Sequence, residues 1–134
     1  MYKTESQFSR YLVTKLRAKR CIVTRLESGS TQQGIPDMFV QFPDGRDVWL
    51  ELKNIKKPLK DRLRIPFRPG QQAWMYSYYV YHQVKCCYTV IALSDVYILL
   101  PMKKIYTDNI VTLKEIEDCV YKSFDSLLNA IMEV

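Results

Sequence analysis

The chain has 134 residues, of which 48% are hydrophobic and 25% are charged, and these proportions predict a single globular domain over residues 1–134. They exclude a low-complexity or disordered chain, and no run of about 18 apolar residues predicts a transmembrane helix. The polar N-terminal stretch MYKTESQFSR lacks the apolar core of a secretory signal, so we expect a cytoplasmic protein without a membrane partner.

Positive charge is concentrated in one segment of the chain. Lysine and arginine outnumber aspartate and glutamate by 20 to 14, and the net charge of +6 is compatible with a polyanionic partner. Between residues 54 and 69, six basic side chains stand against Asp61 alone, a local charge of +5 (six minus one). These basic residues are Lys56, Lys57, Lys60, Arg62, Arg64 and Arg68.

The cysteines do not predict a metal site. None of the four has the CxxC spacing of a zinc centre, and the chain has only one histidine. We therefore expect all four cysteines to be reduced and buried.

The first half of the chain is predicted to form a helix followed by three strands. Thr4 and Gln7 have the spacing of a capping box. Phe8, Leu12 and Leu16 recur every four residues and predict the apolar face of an amphipathic helix. Runs rich in β-branched residues predict strands, and the polar stretch SGSTQQG predicts a flexible loop. The helix is predicted at 4–19, the strands at 21–26, 37–42 and 46–53, and the loop at 28–34.

The second half of the chain begins with a segment that lacks periodicity. Residues 54–69 contain three prolines and the basic cluster, and a loop of this length is usually functional or disordered. Farther along, Thr112 and Glu115 repeat the capping-box spacing, and Ser123 is a candidate cap for a last helix. Helices are predicted at 71–83 and 124–133, and strands at 84–93 and 96–100. The order α-β-β-β-α-β-β-α predicts an α/β protein in which helices flank a mixed β-sheet.

The turn between the second and third strands predicts how they pair. In the sequence PDG at 43–45, proline suits the second position of a type I turn, and glycine suits the left-handed position after it. This three-residue loop with a bulge pairs Phe42 with Arg46 and brings Asp37 opposite Glu51. A two-residue loop would shift the register by one residue and mix apolar with polar side chains on both faces, so we favour the bulged register.

This register gives the strand pair one apolar face and one face with charges. The apolar face carries Met38, Val40, Phe42, Val48, Leu50 and Leu52. The other face carries Asp37 opposite Glu51, and two opposed carboxylates need a partner charge. Lys53 supplies one positive charge and a divalent cation such as Mg²⁺, which prefers carboxylate oxygens, would supply the rest. A solvated ion cluster is the alternative, but Phe39 and Trp49 on the same face predict that a helix covers it.

Three short motifs in this order resemble the PD-(D/E)XK nuclease superfamily. They are GIPD at 34–37, ELK at 51–53, and Gln71 three residues before Trp74, and they are most similar to the small stand-alone VRR-NUC nucleases of phages and bacteria. The similarity covers residues 5–93. It implies a restriction-endonuclease-like α-β-β-β-α-β core and a Mg²⁺-dependent DNA endonuclease in a bacterial or phage-host cytoplasm. It also implies a homodimer that cuts branched DNA such as Holliday junctions or flaps.

The resemblance assigns roles to the charged residues of the hairpin. Asp37 and Glu51 would bind the catalytic Mg²⁺, or Mn²⁺ in its place, together with the backbone carbonyl of Leu52. Lys53 would orient or activate the attacking water and stabilise the charge on the phosphate. The family often has a glutamate in the first helix, and Glu5 is the candidate here; a glutamate that stabilises the helix dipole is the alternative.

The catalytic glutamine has two candidates in adjacent positions. Gln71 fits the QxxW spacing of the VRR-NUC pattern, whereas Gln72 with Tyr76 fits the QxxxY spacing of RecB-like relatives. Neighbouring side chains differ by about 100° around a helix, so only one is expected to face the metals, and the spacing favours Gln71.

The basic cluster is assigned to DNA binding as a group, because lysine and arginine make most phosphate contacts. The group is Lys56, Lys57, Lys60, Arg62, Arg64 and Arg68. The tyrosines of the following helix, Tyr76, Tyr78, Tyr79 and Tyr81, are expected in the core rather than stacked on bases. Two alternatives to the endonuclease stay open, a non-catalytic DNA-binding module of the same fold and a metal-dependent exonuclease.

Overall fold

The computed structural model describes residues 1–26, 34–81, 86–105 and 108–134. Except for Gly34, the predicted loop at 28–34 lies outside these residues, as does the single histidine of the sequence, His82. The described elements are α1 (Glu5–Ala18), β1 (Ile22–Arg25), β2 (Met38–Gln41), β3 (Asp47–Asn54), β4 (Arg62–Arg64), α2 (Gln71–Tyr81), β5 (Cys87–Ala92), β6 (Tyr97–Pro101), β7 (Ile110–Thr112), α3 (Leu113–Ile116), β8 (Val120–Tyr121) and α4 (Phe124–Met132), with 3₁₀ helices at Met102–Lys104 and Glu117–Cys119.

Three helices begin where the sequence has capping side chains. Thr4, Thr112 and Ser123 each have extended backbone angles, and each side-chain oxygen accepts a hydrogen bond from the N–H three residues later. Each bond satisfies one of the N–H groups that a helix start leaves unpaired, which stabilises the helix by about 1 kcal/mol. The predicted starts of α1 and α4 are therefore confirmed, and the second capping-box pattern marks the start of α3, a short helix that was not predicted.

Six strands form one mixed sheet in the order β1-β2-β3-β5-β6-β8. Its neighbouring strands are antiparallel except for β3 and β5, which are parallel. A parallel pair needs a crossover connection, and here the crossover contains α2. This topology places the first turn of α2 beside the carboxyl-terminal half of β3.

The β2–β3 hairpin has the predicted register. Met38 pairs with Leu50 and Val40 pairs with Val48. The Phe42 N–H donates to the Arg46 carbonyl at 2.8 Å, so the turn is the three-residue loop. Because the loop closes in this way, every apolar side chain that the pattern assigned to one face is buried in one core.

The sheet has a hydrophobic core on each face. On one face, α1 packs over β1 and β3 and α4 packs over β6 and β8. The fully buried Leu50 and Leu52 of this core each stabilise the fold by about 1.5–3 kcal/mol. On the other face, α2 and a small second sheet pack on β5 and β6. Phe39 and Trp49 lie on this second face, where the Trp49 ring is 5.5 Å from that of Trp74 in α2. The prediction that a helix covers this face is confirmed.

The prediction of an unstructured loop at 54–69 is wrong for its centre. Arg62–Arg64 forms β4, which pairs antiparallel with β7 in the two-stranded sheet. Leu63 is buried between two exposed arginines and anchors the strand in the second core. Three residues are too few for a recognisable alternation, and the partner strand lies far along the chain, so the local sequence does not indicate this strand.

Two smaller predictions also need correction. Tyr76 is 38% exposed and Tyr81 is 71% exposed, because α2 buries only the stripe that contains Gln71 and Met75. Cys86 is exposed, whereas the other three cysteines are buried, and all four are free thiols. Among the described residues, no helix has the length and apolar character needed to cross a bilayer.

Candidate active site

Three carboxylates from three segments of the chain meet beside β3, where the β2–β3 hairpin opens. Glu5 is the first residue of α1, Asp37 immediately precedes β2, and Glu51 lies in β3. One carboxylate oxygen from each residue lies within 4.8 Å of the other two. The predicted juxtaposition of Asp37 and Glu51 is present, and Glu5 lies beside them.

Glu51 is the buried member of this carboxylate cluster, at 1% exposure. Its Oε2 atom accepts a hydrogen bond from Gln71 Nε2 at 2.7 Å and pairs with Lys53 Nζ at 3.1 Å. Its Oε1 atom is buried and has no hydrogen-bond partner among the described residues. Burial, followed by the negative charge of Asp37, raises the pKa of Glu51 to about 7, although Lys53 and Gln71 favour the carboxylate.

Asp37 is held by the backbone of β3. Its Oδ2 atom accepts from the Leu52 N–H at 2.7 Å. Continuing the hairpin register by two pairs brings Leu52 opposite Pro36, which has no N–H to donate. The N–H and carbonyl of one strand residue point to the same side, so the Leu52 carbonyl also faces Asp37.

Lys53 is buried next to Glu51, at 5% exposure. Its Nζ atom donates to Gln71 Oε1 at 3.1 Å and lies 5.6 Å from the centre of the Phe67 ring. A buried ammonium needs such partners, because burial disfavours the charged form. These contacts fix the amine at the inner wall of the cluster.

Gln71 links the carboxylate and the lysine. It is 2% exposed, and its Oε1 atom also accepts from the Arg68 N–H at 2.8 Å. Gln72 points elsewhere, since its Nε2 atom donates to the Ile105 carbonyl at 2.7 Å. Of the two candidate glutamines, the structure therefore brings Gln71 to the cluster.

Glu5 is the solvent-exposed member of the carboxylate cluster. Partial burial and the charge of Asp37 raise its pKa, while Lys53 and Arg68 oppose that effect. Together with Asp37, Leu52 and Arg68, it lines an open cleft of about 560 Å³. The cleft leads from solvent to the carboxylates.

The donor set fits a hard divalent cation. Three carboxylates and a backbone carbonyl are oxygen ligands, which Mg²⁺ and Mn²⁺ prefer over nitrogen or sulfur. Buried polar atoms are normally satisfied, so the unpartnered Oε1 of Glu51 is an observation that a bound cation would explain. Glu5, Asp37, Glu51 and the Leu52 carbonyl are the groups that would hold the cation.

The basic cluster divides into two parts in the structure. All six residues are exposed, and Arg62 and Arg64 project from the solvent side of β4. Arg68 differs, because its Nη2 atom lies 3.4 Å from Asp37 Oδ1 and 3.9 Å from Glu51 Oε2. The sequence did not indicate this contact, although Arg68 stands only three residues before Gln71.

Gly34, which opens the GIPD motif, lets two parts of the site approach closely. It has a φ of +93°, and a Cβ atom there would lie 2.3 Å from the Gly70 carbonyl oxygen and 3.1 Å from Trp74 Cβ. The residues before Asp37 therefore pack directly on the turn that starts α2. This contact sets the distance between Asp37 and Gln71.

We expect Gly34→Ala to destabilise the fold by about 2 kcal/mol more than Gly45→Ala. Both glycines have positive φ, +93° and +92°, but a Cβ at Gly45 meets nothing within 4 Å. The difference between the two variants therefore reports the close contact with Gly70 and not the backbone conformation. Urea denaturation of both variants measures it, and equal losses would contradict the proposed packing.

A mixed six-stranded sheet flanked by helices gives the described residues a restriction-endonuclease-like α/β fold. The solved structure of Hjc from Archaeoglobus fulgidus, a Holliday junction resolvase from an archaeal hyperthermophile, is similar. The TM-score is 0.61, over 93% of this chain and 98% of that chain, at 11% sequence identity. No protein-family model and no curated protein sequence matches the chain. The predicted fold class is confirmed by this structural similarity.

Proposed function

We propose that this protein is a divalent-metal-dependent DNA endonuclease that hydrolyses phosphodiester bonds. The observation that carries the proposal is the buried Glu51 carboxylate, which pairs with Lys53, keeps one oxygen unpartnered and belongs to one cluster with Asp37 and Glu5. A fold under no functional constraint would not keep this arrangement, because an unsatisfied buried carboxylate oxygen destabilises the protein. The motif pattern further supports a protein of the VRR-NUC kind.

The residues around the carboxylates suit phosphodiester hydrolysis. A bound Mg²⁺ or Mn²⁺ would polarise a phosphoryl oxygen and lower the pKa of a bound water. Lys53 contributes a fixed positive charge that orients the attacking water and stabilises charge on the phosphate. Gln71 holds the Lys53 amine in place through its Oε1 atom. The positions of both side chains are fixed by burial before the substrate arrives.

DNA binding is assigned to the exposed basic residues that follow β3. Arg62 and Arg64 lie on a strand whose buried side is anchored by Leu63, so their backbone is held rigidly. Phosphate contacts from such residues position the duplex without reading its sequence. Lys56, Lys57 and Lys60 lie in the exposed segment between β3 and β4 and complete the group.

Branched DNA is the proposed substrate, and a homodimer is the proposed active form. The resemblance to VRR-NUC nucleases and the structural similarity to a Holliday junction resolvase both support branched DNA. A two-fold symmetric dimer would present two equivalent active sites to a four-way junction. We propose that the protein acts in the cytoplasm of a bacterium or of a phage-infected cell.

The test is to incubate the protein with a four-way junction, a flap and a plain duplex, each labelled at one end, in Mg²⁺, Mn²⁺ or EDTA. We expect internal nicks in the branched substrates with either metal and no product in EDTA. Progressive shortening from labelled ends would instead identify an exonuclease. Binding without cleavage in either metal, unchanged in Lys53→Ala, would identify a non-catalytic DNA-binding module and contradict the proposal.

A further inference from the structure

Arg68 is in contact with two of the three carboxylates that would hold the metal. Its Nη2 atom lies 3.4 Å from Asp37 Oδ1 and 3.9 Å from Glu51 Oε2. We propose that Arg68 is the resident cation of the metal-free site, and that a divalent cation must displace its guanidinium from these oxygens. The inference rests on the metal-dependent nuclease proposed above and adds a role for a residue outside the PD and ELK motifs.

The backbone of Arg68 is fixed, whereas its side chain is at the mouth of the cleft. The Arg68 N–H donates to Gln71 Oε1 at 2.8 Å, and the Arg68 carbonyl accepts from the Gln71 N–H at 3.2 Å. The side chain is 49% exposed. The guanidinium can therefore leave the carboxylates by side-chain rotation alone, without movement of the Gln71 and Lys53 contacts behind it.

Charge balance explains why the guanidinium occupies this position without metal and leaves when metal binds. Glu5, Asp37 and Glu51 carry three negative charges when ionised, against two positive charges from Lys53 and Arg68. A divalent cation changes the cluster from a net −1 to a net +1, so the attraction that holds Arg68 is lost. Arginine binds phosphate through paired N–H groups, and a DNA phosphate at the cleft is its next available anion.

The first measurement is the affinity for Mn²⁺ without DNA, by isothermal titration calorimetry at about pH 8.5. We expect Arg68→Gln to bind Mn²⁺ about fivefold more tightly than the wild type, because a competing cation is removed. Arg64→Gln removes the same charge from an exposed position on β4 and should leave the Mn²⁺ affinity unchanged. Equal or weaker Mn²⁺ binding by Arg68→Gln would overturn the inference.

The second measurement tests the transfer of Arg68 to phosphate. Fluorescence anisotropy with a labelled four-way junction gives the gain in DNA affinity when EDTA is replaced by Ca²⁺. Metal loading adds two positive charges in every variant, so this charge alone should raise the DNA affinity of all variants equally. We expect the gain in DNA affinity to be at least about threefold smaller in Arg68→Gln than in the wild type, because the variant lacks the guanidinium contact with phosphate. Arg64→Gln should weaken DNA binding in both solutions and keep the wild-type gain. If Ca²⁺ raises the DNA affinity of Arg68→Gln as much as that of the wild type, the proposed transfer of Arg68 to phosphate is overturned.

These measurements separate this inference from the proposed nuclease activity. Mn²⁺ binding that tightens in Arg68→Gln, in a wild type that cuts no substrate, would support the competition and contradict the nuclease. Cleavage by the wild type together with unchanged Mn²⁺ affinity in Arg68→Gln would support the nuclease and contradict the competition between Arg68 and the metal. Because the side chain is half-exposed, the variant should still unfold in one cooperative transition, which confirms that the comparison is made on folded protein.

Discussion

Lys53→Met is expected to lower the rate of DNA cleavage by about 10²- to 10⁴-fold at saturating Mg²⁺. The Lys53 amine is held 3.1 Å from Glu51 Oε2 and 3.1 Å from Gln71 Oε1, at the inner wall of the cluster. Methionine keeps the length and apolar stem of lysine but cannot orient a water or stabilise a charged phosphate. The effect should therefore be on the chemical step and not on the affinity for DNA.

Metal binding separates this role from a structural one. Lys53→Met removes a positive charge beside Glu51, so Mn²⁺ should bind the variant at least as tightly as the wild type. Single-turnover cleavage of the four-way junction measures the rate, and calorimetry measures the metal affinity. Lys114→Met, an exposed position in α3, is the control and should retain the wild-type rate. A Lys53→Met rate within about threefold of the wild type would contradict the proposed role.

The strand pairing of the hairpin was predictable because it depends on residues that are close together in the sequence. The PDG turn fixes the loop length, the loop length fixes the register, and the register decides which side chains share a face. These local rules predict Asp37 opposite Glu51 from the sequence alone. The capping residues are local in the same sense, since each contacts an N–H three residues away.

The features that the sequence did not indicate depend on contacts between distant segments. Strand β4 exists because β7 pairs with it, and its three residues carry no recognisable pattern alone. Spacing favoured Gln71 over Gln72, but the choice depends on how α2 is rotated against β3, which tertiary packing sets. The position of the Arg68 side chain also depends on tertiary packing, because the side chain reaches Asp37 only in the folded chain.

Stability of the metal-free protein is expected to fall as the pH rises from about 4.5 to about 7. The folded-state pKa of Glu51 is raised to about 7 from an ordinary value of 4.5. Below pH 4.5 both states are protonated and the shift has no effect. Between the two values the folded state keeps a proton that the unfolded state has lost, so the free energy of unfolding decreases. Above pH 7 the full cost of about 3 kcal/mol is present.

Glu51→Gln should remove this cost and abolish function together. Glutamine is uncharged, and its amide oxygen can still accept from Gln71 Nε2 and Lys53 Nζ, so the variant resembles the protonated protein. At about pH 8 in EDTA we expect its free energy of unfolding to exceed that of the wild type by up to about 3 kcal/mol. Mn²⁺ binding and DNA cleavage should both be lost, because the carboxylate at the centre of the site is gone.

Urea denaturation at pH values from about 4 to about 8.5, with and without Mg²⁺, measures the effect. The wild type should lose stability with rising pH in EDTA and regain it when Mg²⁺ binds the ionised carboxylates. Glu117→Gln, at an exposed position, is the control and should follow the wild-type curve in both solutions. If Glu51→Gln is no more stable than the wild type at about pH 8 in EDTA, Glu51 is not the source of the pH dependence. A gain in stability with complete loss of metal binding would identify Glu51 as a residue retained for function at a cost to the fold.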